Sequence, residues 1–392
     1  MQFVLWLPLI FQEAVAQDGG LDRPMPAPAA QSEPAPVPAE TAPVKIKKEK
    51  KKNAARAVPQ DQPQSQEELP VERLKVGKRH RFEEPEWHTK VGAEMEYNDN
   101  VIRLDKRDIE AFKDGTKPDK FRITSVSDMI YTASVEEDVS FRLFDQPTTG
   151  GVGFAAHFFE ANTFMDYEDI AAFLKTKTWE FKFVAEPKVY RREHRNLDTG
   201  LYESAFYSDY DAEFAVKLHP LDFLQIRPKM DIEYRDYDAP FEYYDTIYWG
   251  LSPRATIELA PWLFFWLEYR LVWANSFATD LQPDDSYFES GFEPGITVKP
   301  EKGLEFSARY YWGRRDYTTA NDAFIDPNHA GRVDDRQHFK LRAEWKPSPN
   351  LAFHAEYAYT TVLTNKPFRP DVIDDEWSWT RKVFTLGVTY QF

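Results

Sequence analysis

The chemistry this chain offers lies in ionisable side chains at every second position. From Trp87 to Tyr97, His88, Lys90, Gly92, Glu94 and Glu96 alternate with Trp87, Thr89, Val91, Ala93, Met95 and Tyr97. From Leu224 to Tyr234, Gln225, Arg227, Lys229, Asp231 and Glu233 alternate with Leu224, Ile226, Pro228, Met230, Ile232 and Tyr234. Further copies span 247–259, 265–273, 288–298, 304–312, 339–345, 351–359 and 384–392. A period of two is that of a strand, so each segment carries one ionic and one apolar face. The ionic face collects Lys90, Arg227, Lys229, Arg235, Arg254, Arg270, Arg309, Lys340 and Arg342. Against these stand Glu94, Glu96, Asp231, Glu233, Glu258, Glu268, Glu289, Glu293, Glu305, Glu344 and Glu356. The signs nearly balance, which indicates neither a basic channel for a polyanion nor an acidic ring for cations. Two arrangements remain open: a wet pore whose wall carries opposed charges, or a lumen partly closed by cross-strand ion pairs.

Other chemistry is poorly supplied. The chain has no Cys, which excludes disulfides, thiolate metal sites and a thiol nucleophile. The eight His (His80, His88, His157, His194, His219, His329, His338 and His354) are scattered without ligand spacing. No sequence-local triad or phosphate-cradling glycine loop is present, so no catalytic residue, metal or cofactor is expected and the chain reads as a non-enzyme. With 65 acidic and 49 basic residues the net charge is −16, which argues against a nucleic-acid partner.

The elements that position this ionic face are strands joined by connections of alternating length. Short joints occur at His219–Asp222, Ala260–Pro261, Pro300–Gly303 and Pro347–Asn350. Longer Asp-, Asn- and Pro-containing joints fall at 236–246, 275–286, 314–336 and 364–376. The long joints are acidic and are expected to form a solvated rim. Between 121 and 218 the pattern is less regular: one strand from Phe121 to about Phe144, a turn at DQPTTGG, then strands near 152–162, 170–185, 188–195 and 201–218. No convincing helix-period segment interrupts them. Mean hydropathy is −0.61 and no apolar run spans a bilayer as a helix, but transmembrane strands hide half their residues from such a measure. The expected fold is all-β: an up-and-down transmembrane antiparallel β-barrel of about 14 strands, with 12 to 16 open. Apolar residues face lipid, and the ionic alternates face the lumen.

The first 84 residues differ. An apolar block, Phe3 to Phe11, precedes Ala14-Val15-Ala16, which reads as a signal peptide over 1–16. Residues 17–84 hold ten of 28 Pro and one aromatic, Phe82, a composition that cannot offset its ordering entropy. This segment is expected to be a disordered periplasmic stretch whose basic block, Lys45 to Lys52, offers a contact to cell wall or another acidic periplasmic partner. Its net charge is +2, while 85–392, the expected barrel, carries −17 and 57 of the 61 aromatics.

The terminal strand adds a resemblance. Phe384, Leu386, Val388, Tyr390 and Phe392 lie at every second position up to a final Phe, which resembles the C-terminal signal of Gram-negative outer-membrane barrels. The resemblance implies delivery by the barrel-assembly machinery and contact with outer-membrane lipid and lipopolysaccharide. A second one lies in GAEMEYNDNVIRL, residues 92–104, which is similar to the opening strand of porin-like barrels associated with exopolysaccharide export. Together these imply an outer-membrane channel or porin-like conduit for polysaccharide or small polar solutes. A non-conducting structural or adhesion barrel is the alternative.

Overall fold

The computed structural model describes residues 85–143, 146–279, 282–365 and 378–392. Along this part of the chain run 14 antiparallel strands. They are β1 (Glu86–Asn98), β2 (Asp128–Leu143), β3 (Gln146–Phe159), β4 (Tyr167–Thr176), β5 (Trp179–Arg195) and β6 (Tyr202–Val216 continued by Leu218–Leu221). Next come β7 (Leu224–Arg227 and Lys229–Tyr237), β8 (Thr246–Leu251 and Arg254–Ala260), β9 (Leu263–Ser276) and β10 (Tyr287–Glu301). The remainder are β11 (Leu304–Tyr317), β12 (Val333–Ser348), β13 (Leu351–Asn365) and β14 (Trp379–Gln391). Each pairs with its neighbours in sequence, and β1 also pairs with β14 from Lys90↔Gln391 to Asn98↔Val383. That pairing closes the sheet, so no row of backbone N–H and C=O groups is left at an edge.

Closure sorts the side chains. On β1, Val91, Ala93, Met95 and Tyr97 are exposed, while Gly92, Glu94 and Glu96 between them are shielded. The exposed rows continue around the wall through Phe154, Ile170, Phe183, Met230, Trp249, Leu267, Phe292, Trp312, Leu341, Phe353 and Leu386. A contiguous apolar surface of this extent on a closed sheet is of the kind that transmembrane barrels present to a bilayer. Among the described residues no helix is long and apolar enough to cross a membrane.

Three strands are interrupted at one end of the barrel. Pro228 and Pro253 lack an N–H and face each other across β7 and β8, where the register runs from Leu251↔Met230 to Arg254↔Arg227. The ladder resumes beyond them through Ala255↔Ile226 and Leu218↔Ile226. In β5 a bulge between Glu186 and Val189 places Lys188 at φ +60°.

Connection lengths alternate as the sequence implies, and the irregular region is where expectation and structure part. The strand expected from Phe121 begins only at Asp128, because side chains capture the backbone ahead of it. Asn162 Oδ1 accepts from Thr124 N–H, and Asn162 Nδ2 donates to Ser125 O and to Asp128. The 99–127 connection contains a helix, α1 (Lys106–Lys113), N-capped by Asp105, whose carboxylate accepts from Asp108 N–H at 2.8 Å. The expectation of no helix is thereby corrected; eight residues are too few to set a 3.6 period apart from the surrounding strands. The segment 170–185 divides into β4 and β5 around a turn at Lys177-Thr178, and the proposed break before Lys188 is the β5 bulge. Pro147 to Gly151, expected in a turn, lie inside β3, with Phe141↔Thr148 paired. The expected signal peptide, the Pro/Lys-rich stretch and Asp371 to Glu376 lie outside the described residues.

The lipid-facing assignment has a direct test. Leu386, between Met95 and Ala355 in mid-strand, is expected to lose about 2–4 kcal/mol of stability as Leu386→Arg, measured by urea unfolding in phospholipid vesicles.

Candidate functional site

The shielded alternates of the strands form one enclosed wall, and it is tied together by ion pairs. Near the Pro228 end, Glu180 meets Lys175 at 3.1 Å, Arg227 at 3.1 Å and Lys217. Glu213 bridges Arg227 at 2.9 Å and Lys229 at 3.2 Å, and Lys229 also lies 3.8 Å from Asp231. Lys90 reaches across to β2, to Glu136 at 2.5 Å and Asp138 at 2.9 Å. Glu233 and Asp209 both accept from Arg235, at 2.7 and 3.2 Å.

On β8 to β13 the pairs multiply. Arg254 meets Glu268 at 2.7 Å, Arg309 meets Glu293 at 3.4 Å, and Lys340 meets Glu356 at 2.5 Å. Arg342 lies 3.5 Å from Glu356 and 3.6 Å from Glu344. Glu289 is the hub: it accepts from Arg315 at 2.7 Å, Arg336 at 2.6 Å and the Tyr311 hydroxyl at 2.7 Å, with Arg270 acting on it electrostatically. Glu94 is 3.6 Å from His354. Glu305 pairs with Lys299 nearer the rim, and Glu258 is exposed. The residues that sequence spacing selects on β7 to β13 therefore come together in linked pairs, while Glu258 stays outside the network.

Inward aromatics pack against this wall. The Arg254 guanidinium lies 4.1 Å from the centre of the Trp266 ring, and that ring lies against Gly295, where a Cβ would sit 2.2 Å from it. Tyr311 lies across Gly291 and Gly313 in the same way, which lets its hydroxyl reach Glu289. These glycines let the rings lie against the sheet, where any side chain would collide with them. Arg235 stands between Tyr207 and Tyr248 at 4.8 and 5.2 Å.

Two connections enter the mouth at the long-loop end. Within 99–127, Val101, Ile102, Leu104, Phe121 and Ile123 form a buried cluster with Ile130, Phe159, Met165 and Tyr190, against which Ile109 and Phe112 of α1 pack. Arg192 of β5 donates to Ile102 O at 3.1 Å, and Asn100 donates to Thr380 O of β14 at 3.1 Å. The loop thus spans from β14 to β5. Phe241 and Tyr243 of 238–245 join Tyr207 and Tyr237 in a second cluster. This inward fold was not readable from the sequence, although Val101, Ile102 and Leu104 in an otherwise charged joint were its one signal.

The acidic rim expected on the long connections is corrected for several members. Asp105 caps α1, Asp334 is paired with Arg332 at 2.9 Å, and Asp326 is buried. Burial alone would raise the Asp326 carboxyl, yet the charge and hydrogen bond of His329, with the backbone N–H groups of Asp284 and His329, outweigh it and hold the carboxyl below its ordinary range. Asp326 therefore ties 318–332 to 277–286. Sequence reading also missed a chain in which Thr132 Oγ1 lies 2.9 Å from His157 Nδ1 and His157 Nε2 lies 2.8 Å from Asp169. Its members come from three strands and share no local spacing. The terminal residues are placed plainly: Phe384, Leu386 and Tyr390 are exposed on the outer face of β14, Val388 is half-buried there, and Phe392 donates its N–H to Thr89 O at 2.9 Å.

With this geometry in view, known proteins can be compared. No family model matches the chain, and no curated protein matches it. Solved structures similar to it are outer-membrane proteins. The outer membrane channel DcaP of Acinetobacter baumannii is 12% identical, with 79% of this chain and 97% of that one covered and a TM-score of 0.43. OmpT, an outer membrane protein of Vibrio cholerae, is 11% identical over 79% and 97%, with a TM-score of 0.40. OprD of Pseudomonas aeruginosa is 12% identical over 78% and 95%, with a TM-score of 0.36.

Two outcomes follow from the wall and the rim. Arg315→Met strips a fully shielded guanidinium from Glu289 and is expected to cost about 2–3 kcal/mol in urea unfolding, since Arg336 and Tyr311 remain. Arg314→Met, which removes an exposed pair with Asp316, is expected to leave the unfolding midpoint unchanged. The lowered Asp326 pKa stabilises the loop tie above the unfolded carboxyl pKa of about 3.9, and this contribution is lost as pH falls through the lower folded value. Protection of the Asp284 and His329 amides in hydrogen exchange should drop over that acid range, and Asp326→Asn should abolish the acid-dependent step.

Proposed function

We propose that this chain is an outer-membrane channel that passes small polar solutes. The observation that carries the reading is a closed 14-strand wall with an apolar exterior and a charged interior. A barrel that served only as a scaffold could be filled with apolar side chains, as small barrels are; a double row of opposed charges is the wall of an aqueous path. The residues proposed to line it are Lys90, Glu94, Arg227, Lys229, Asp231, Glu233, Arg254, Glu268, Arg270, Glu289, Glu293, Glu305, Arg309, Lys340, Arg342, Glu344 and Glu356, with Glu258 at its rim.

Small solutes are favoured over a polysaccharide. A sugar chain needs aromatic faces free to stack, and the Trp266 ring already carries the Arg254 guanidinium and lies against Gly295. The 99–127 connection packed from β14 to β5 also narrows the mouth. On this reading the terminal Phe392 strand is the segment that the assembly machinery engages, the short connections and the N-terminal segment are periplasmic, and the outer face meets lipid and lipopolysaccharide.

Purified chain in planar bilayers is expected to show steady single-channel conductance, and removal of α1 (residues 106–113) should raise it. A correctly folded barrel that stays silent with and without α1 would support the structural or adhesion reading instead.

A further inference from the structure

One part of the enclosed wall carries more negative charge than its own side chains neutralise. On β4 to β7, Asp169, Glu186, Asp209, Asp211 and Glu233 share a region with three basic side chains, Lys182, Lys229 and Arg235, of which Lys229 is also paired with Glu213. Register brings them together: Glu186 lies opposite Asp209, Asp209 opposite Arg235, and Asp211 opposite Glu233. Asp169 is held by His157 at 2.8 Å, and Arg235 is divided between Asp209 and Glu233. Glu186 is 4% exposed, and among the described residues its Oε2 has no hydrogen-bond donor; the same holds for Oδ1 of Asp209. A shielded carboxylate oxygen without a donor is costly, so this group is built for something that arrives.

What arrives must be a cation. Among the described residues no three acidic or His side chains converge closely enough to hold a metal ion, which leaves a cation of larger radius that donates hydrogen bonds. The surroundings fit one: the Tyr167 ring stacks on His157 at 4.3 Å, Tyr207 already faces the Arg235 guanidinium, and the half-buried Asp211 and Glu233 form the less shielded side.

Resting on the channel reading, we infer that the β4–β7 wall is a binding subsite for the ammonium or guanidinium group of a solute, with Glu186 and Asp209 as its acceptors. Further along the ring of strands, β9 to β12 gather Arg270, Arg315 and Arg336 on Glu289, so a solute bearing both an amine and a carboxylate meets a group of opposite sign for each.

Titration calorimetry of the folded full chain in detergent, with putrescine as probe, tests this independently of conductance. Wild type is expected to bind it, Glu186→Gln to weaken binding by about tenfold, and Glu168→Gln, on the exposed face of β4, to leave it unchanged. Heat-modifiable migration on gels confirms that each variant is folded. Absence of putrescine binding to wild type would mean that a proton neutralises Glu186, and would overturn the inference, as would equal binding by wild type and Glu186→Gln. Binding by a barrel that is silent in bilayers would keep the subsite and refute the channel. Conductance insensitive to putrescine, with no binding, would keep the channel and refute the subsite.

Discussion

The constraint on which everything else depends is that a backbone surrounded by hydrocarbon must satisfy every N–H and C=O from within. A sheet does so only by closing, and here closure is the nine-residue register between β1 and β14. Once closed, the wall has an inside and an outside, and the two-residue period of each strand assigns every side chain to one of them. The Trp, Phe and Leu rows lie on the outer face, which suits them only if that face is covered by something apolar. The charged rows are left facing one another across a confined interior.

That confinement changes what the charges do. On an open surface, pairs such as Arg314 and Asp316 contribute little, because water already solvates both. Inside the wall, Glu289 with its two guanidiniums and one phenol, or Glu356 with Lys340 and Arg342, are shielded and must be matched. Most are. The exceptions are informative: the carboxylates of β4 to β7 outnumber the bases available to them, while β9 to β12 crowd guanidiniums on one acid. The two regions lie on different arcs of the ring of strands, so the imbalance varies around the wall.

The mouth obeys a different rule. The 99–127 and 238–245 connections bury apolar and aromatic groups inside the barrel, and their polar backbone is met by specific partners such as Arg192, Asn100 and Asn162. A connection fixed in this way behaves as part of the wall.

The sequence by itself determined the strand period, the count near 14, the alternation of short and long joints and the division of side chains into exposed apolar and shielded ionic rows. Those follow from local chemistry, because a residue and its second neighbour share a face wherever the strand lies. It did not disclose the start of β2, the α1 helix, the β4–β5 turn or the β5 bulge, where hydrogen bonds from Asn162 and Asp128 and a positive φ at Lys188 override the pattern. Which acid meets which base also lay beyond it. Partners such as Glu289 with Arg315 and Arg336, or Asp209 with Arg235, are 20 or more residues apart, and only the register of the closed sheet decides that they face each other.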